Sequence, residues 1–67
     1  MPRKIRELKA MLRKAGFSNR SGKGSHTVWN HPRLIYSLTL SGNDGDDARK
    51  YQETMVQQAI KDVQGGS

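Results

Sequence analysis

Sixty-seven residues carrying 12 Lys/Arg against 6 Asp/Glu, a net charge of +6, make one small basic domain, and a chain of that length buries only ~60% of the surface its unfolded form exposes. The absence of cysteine excludes disulfides and thiolate metal sites. No apolar run approaches the ~18 residues of a membrane span, and Met1-Pro2-Arg3-Lys4-Ile5 lacks an apolar signal region, so the expectation is a soluble cytoplasmic protein with no membrane partner.

The charge is segregated. Residues 1–33 hold nine Lys/Arg and one acid, a net +8, whereas residues 34–67 hold three Lys/Arg and five acids, a net −2. A concentrated basic half points to a polyanionic partner, most simply a nucleic-acid backbone.

From Arg3 to Ala15 the apolar residues Ile5, Leu8, Leu12 and Ala15 recur with helical period, with Met11 at the margin. They predict an amphipathic helix. Pro2 suits its first turn and Gly16 the left-handed position after its last. At 100° per residue Arg3, Arg6, Lys9, Arg13 and Lys14 share the opposite arc, a basic stripe available to a partner.

Phe17 to Ser21 reads as a short strand with Phe17 turned inward, and Gly22-Lys23-Gly24 as a turn. Ser25 to His31 alternates and is rich in β-formers, and Pro32 ends it because proline has no N–H for a ladder. Leu34 to Ser41 is the clearest strand, with Leu34, Tyr36, Leu38 and Leu40 on one face. Ser41 to Asp47 is a loop whose acids do not match an EF-hand, since Leu40 and Gly42 fall where carboxylates are needed. These acids are expected to end the sheet, cap the next helix or offset nearby lysines.

A second helix starts between Asp47 and Glu53 and turns Met55, Val56, Ala59, Ile60 and Val63 to one side. With Gln52 as its cap, Tyr51 and Val56 would form a hydrophobic staple. Residues 1–63 then form one domain and 64–67 a flexible tail. The order α-β-β-β-α predicts a two-layer α+β domain, with both helices on one face of a three-stranded antiparallel sheet.

Chemistry concentrates at Gly22-Lys23-Gly24-Ser25-His26. The segment matches neither a P-loop nor a dinucleotide glycine pattern. It reads as a hairpin turn, or as a turn whose N–H groups and Lys23 approach a phosphate. Imidazole is the side chain that both accepts and donates a proton near neutrality. In RNA, His26 could take the 2′-hydroxyl proton or protonate the leaving 5′-oxygen without a metal. Ser25 would face away from it on a strand, and so would His31, five residues on. No ligand cluster has metal-site spacing. Trp29 is either core or a platform for a base.

Gly24-Ser25-His26 with Trp29 downstream resembles the HicA toxins of bacterial type II toxin–antitoxin systems. The likeness extends to the Lys9/Leu12/Lys14 helix ending in Ala15-Gly16-Phe17, the polar hairpin into Gly-Ser-His, and the closing helix, roughly Ile5 to Val63. It implies a double-stranded-RNA-binding-domain-like fold. It also implies an endoribonuclease (an mRNA interferase) that cleaves mRNA without a metal or small-molecule cofactor and is inhibited by a HicB-type antitoxin.

The family's histidine maps to His26 as the catalytic residue. Lys23, Ser25, Arg6, Lys9, Arg13, Lys14, Arg20 and Trp29 are the expected RNA contacts. Many family members carry Pro-x-His after the third strand; here the chain has Leu40-Ser41-Gly42-Asn43-Asp44-Gly45, which offers no second histidine. The competing reading is a non-catalytic RNA-binding module of the same fold, and a third is a protein-interaction domain.

Overall fold

The computed structural model describes residues 2–65. It contains α1 (Ile5–Lys14), β1 (Ser18–Ser21), β2 (Thr27–Asn30), β3 (Leu38–Leu40) and α2 (Lys50–Gly65), in that order. The strands form one antiparallel sheet in the order β1-β2-β3. The fold is therefore α+β with two helices and three strands, as the pattern of periodicities predicts.

Register explains which side the helices cover. Trp29 lies opposite Leu38, and Thr27 opposite Leu40, so these four share one face. Trp29, Leu38 and Leu40 pack in a single buried cluster with Ile5, Leu8 and Leu12 of α1 and Val56, Ala59 and Val63 of α2. Both helices thus lie on the same face. The opposite face carries Arg20 paired with Val28, and Val28 with Thr39.

Helix α1 stops where its sequence stops it. The Gly16 N–H donates to the Arg13 carbonyl and the Phe17 N–H to the Leu12 carbonyl, both at 3.0 Å, with Gly16 at φ +94°. This is a Schellman ending, and Phe17 is buried in the same cluster as Leu12. At its other end, loop carbonyls satisfy the helix donors: Ile5 N–H reaches Asp46 O at 2.9 Å, and Arg6 N–H reaches Asp44 O at 3.1 Å.

The third strand is shorter than the Leu34–Ser41 alternation predicts. Extending the Thr27–Leu40 register would set Tyr36 against His31 and Ile35 against Pro32. Pro32 has no N–H to give, and Arg33-Leu34 would have to form a two-residue turn needing positive φ without Gly, Asn or Asp. The chain instead turns earlier: Leu34 N–H donates to His31 O at 2.9 Å and Arg33 N–H to His31 Nδ1 at 3.0 Å. Leu34 packs beside the core, but Ile35 is fully exposed. The Tyr36 hydroxyl donates to Asp62 Oδ2 at 2.8 Å. That hydrogen bond to a carboxylate, then partial burial and the negative charge itself, raise the Tyr36 pKa above its ordinary value.

Helix α2 begins inside the expected window but without the expected staple. Its cap is Arg49, whose N–H donates to Gln52 Oε1 at 2.8 Å. Tyr51 is exposed. Gln52, one turn in, is the buried polar residue of this end, and its Nε2 donates to Ser41 O at 3.0 Å. A cap at Arg49 shifts the staple positions away from Tyr51 and Val56, and Ala48 is the buried residue before it. The helix also continues through Gln64 to Gly65, so the expected tail is shorter; its last two residues lie outside the described residues. No helix among the described residues is long and apolar enough to cross a membrane.

Candidate nucleic-acid interface

The β1–β2 hairpin is built to present His26 at its tip. Ser21 pairs with Thr27, and Gly22 N–H donates to His26 O at 2.8 Å. A Cβ on Gly22 would meet both the Cβ and the carbonyl of His26 at 3.3 Å, so glycine permits the close crossing. The reversal runs from Lys23 to His26, whose N–H donates to Lys23 O at 3.0 Å. Gly24 supplies the positive φ of +59°.

The same Lys23 carbonyl lies 2.8 Å from His26 Nδ1. A carbonyl only accepts, so Nδ1 carries the proton and Nε2 keeps its lone pair. His26 is exposed. An oriented imidazole with a free Nε2 can take a proton from a bound hydroxyl.

Beside the tip is a shallow cleft of about 330 Å³, lined by Lys9, Ser25, His26, Gly42, Asn43 and Asp44 among others. Ser25 joins its walls, because Gly42 N–H donates to Ser25 Oγ at 3.2 Å. Gly42 has φ +114°, and a Cβ there would meet Ile5 Cγ1 at 3.3 Å. The loop after β3 therefore runs close against α1 and the hairpin.

The expected basic contacts separate into distinct settings. Arg6, Arg13, Lys14, Arg20 and Lys23 are exposed. Lys9 is more enclosed, its side chain 14% exposed, and its Nζ donates to Asp44 Oδ1 at 2.6 Å. That hydrogen bond, reinforced by the charges of Lys9, Arg13 and Arg6, holds the Asp44 carboxyl below its ordinary pKa. Arg20 stands on the open sheet face, away from the helices.

Trp29 does not belong to the interface. It is fully buried, its Nε1–H donates to Thr27 Oγ1 at 2.9 Å, and Thr27 in turn donates to Leu40 O at 3.4 Å. A base cannot stack on a ring inside the core, so the platform role is withdrawn. The indole instead lies under Arg13, whose Cζ is 5.5 Å from the ring centroid. His31 is also placed elsewhere. Its ring lies 5.0 Å from that of Phe17, and its Nδ1 accepts from Arg33 N–H.

Asp44 and Asn43 are the cleft residues that local sequence reasoning did not bring to the site. Their contact with Lys9 spans 35 residues, and the only signal was an acidic loop able to offset lysines. Among the described residues no three His, Asp or Glu side chains gather as a metal-ligand cluster. No known protein family, curated protein or solved structure matches the chain.

Proposed function

We propose that this protein is a HicA-like endoribonuclease of double-stranded-RNA-binding-like fold, the toxin of a type II toxin–antitoxin pair acting on mRNA in the cytoplasm. The observation that carries the reading is His26, exposed at a hairpin tip beside a basic helix face, with Nδ1 held by the Lys23 carbonyl. Its unprotonated Nε2 accepts the 2′-hydroxyl proton. The 2′-oxygen attacks the adjacent phosphorus and the 5′-oxygen leaves with a proton from solvent, giving a 2′,3′-cyclic phosphate. Arg6, Arg13 and Lys14 steer the backbone by charge, and Lys23 stabilises the phosphorane. The HicB-type antitoxin inhibits by covering this basic face. No metal or small-molecule cofactor takes part.

A specific observation also favours the non-catalytic RNA-binding reading: His26 is the only imidazole lining the cleft, so no second histidine is available as general acid. One assay separates the two. Purified wild type and His26→Ala are incubated with mRNA in EDTA and resolved by length and by mobility shift. The toxin reading expects wild type to shorten RNA, and His26→Ala to bind it with cleavage reduced at least ~10²-fold, the lower end of general acid–base contributions. RNA shifted but left intact by wild type identifies a binder. Absence of salt-sensitive binding identifies a protein-interaction domain.

A further inference from the structure

Arg6, Lys9 and Arg13 lie at i, i+3 and i+7 on α1, a spacing that stacks three cations in one row. Rows of this kind repel themselves unless an anion joins them. Here the anion comes from the chain. The Asp44 carboxylate is 2.6 Å from Lys9 Nζ, while the Asp44 carbonyl accepts the Arg6 N–H at 3.1 Å. The two partners differ in mobility: the Lys9 side chain is 14% exposed and fixed in the cleft wall, whereas that of Asp44 is 65% exposed. Lys9 is thus a preformed cation, and Asp44 an anion that can swing away without disturbing the core. Both line the cleft that His26 lines.

We infer that Arg6, Lys9 and Arg13 form a seat for a phosphate group, occupied in the free protein by the chain's own Asp44 carboxylate, which an incoming phosphate displaces. That the phosphate belongs to RNA beside the scissile bond rests on the ribonuclease reading. The seat itself rests on the ion geometry. Asp44 then sets a threshold: weakly held anions do not outcompete a tethered carboxylate, whereas a polyanion anchored at other cations does. The oxygens of a phosphodiester also accept hydrogen bonds from all three side chains, which one carboxylate cannot do as fully.

The test compares wild type, Asp44→Asn, Lys9→Gln and the double variant. Asp47→Asn serves as control, because Asp47 is in the same loop and is also ion-paired, to Lys4. Asp44→Asn keeps the backbone carbonyl that accepts from Arg6, so the loop retains its anchor. The probes are inorganic pyrophosphate and a 2′-O-methylated single-stranded oligonucleotide, which cannot be cleaved through its 2′-oxygen. Asp44→Asn is expected to bind both about fivefold tighter, the upper range for releasing an exposed ion pair. In the Lys9→Gln background the gain shrinks to that of Asp47→Asn. Pyrophosphate shifts the Arg6 amide resonance and the Trp29 emission, the latter because Arg13 lies over the indole.

A gain no larger than that of Asp47→Asn, or one independent of Lys9, overturns the seat. Pyrophosphate binding in the expected pattern without oligonucleotide binding keeps the seat and ends the ribonuclease reading. Oligonucleotide binding and RNA cleavage indifferent to Asp44 keep that reading and end the seat.

Discussion

Single side chains divide the interface from the core more sharply than charge does. His26 and Trp29 are three residues apart, yet the hairpin exposes one and the sheet buries the other. Trp29 is also the largest of the fully buried side chains, and truncating such a residue costs about 3–5 kcal/mol. A chain of 67 residues has only about 3–10 kcal/mol to lose. Trp29→Ala is therefore expected to unfold much of the population, while Trp29→Phe, which keeps a ring but loses the Nε1–H bond to Thr27, costs about 1–3 kcal/mol. Urea denaturation measures both. A stable Trp29→Ala protein with weakened RNA binding would return the indole to the interface. Until folding is measured, lost activity in a Trp29 variant says nothing about stacking.

At the scale of elements, the signals that can be read locally and those that cannot have different physical origins. Helix α1 was legible because its buried stripe, its basic stripe and its Gly16-Phe17 ending are all written within a few residues. The hairpin was legible for the same reason, with Gly24 at the one positive-φ position of the turn. The length of β3 was not, because alternation over Leu34–Leu40 describes a strand only if β2 supplies partners, and Pro32 and the Arg33-Leu34 pair deny them. The α2 cap was missed because Gln52 serves it from inside the helix, not from the flanking position. In the site, His26 could be found from its turn, whereas Asp44 reaches Lys9 only through the fold.

Gly16 offers a direct test of the local signal. At φ +94° an L-residue is strained, and a Cβ would meet His31 Nε2 at 3.3 Å. Gly16→Ala is expected to destabilise by about 1–2 kcal/mol in thermal or urea melts. Adding His31→Ala relieves the contact but not the strain. A neutral or stabilising Gly16→Ala would refute the Schellman account of how α1 ends.

The whole molecule folds its acidic half back onto its basic half. Asp44 and Asp47 pair with Lys9 and Lys4, and Glu53 Oε2 accepts the Arg3 N–H at 3.3 Å. The long-range charge pattern is thus partly neutralised inside the chain, and the cations left over are those facing a partner. Asp44 makes the balance measurable. Its carboxyl pKa is lowered, chiefly by the Lys9 hydrogen bond. A depressed folded-state pKa means stability that is present above the unfolded value of ~3.9 and lost as pH falls through the folded one. Carboxyl NMR is expected to find Asp44 titrating below the ordinary range. Lys9→Gln should move it back up, and 1 M salt, with a screening length of ~3 Å, should do so partly. Above pH ~4 the pair stabilises the fold modestly, since both groups reach solvent; below the Asp44 midpoint the cation row on α1 loses its counter-charge, and wild type should converge with Asp44→Asn in stability. A carboxyl titrating at its ordinary value and unmoved by Lys9→Gln would mean that the two halves are joined by packing alone.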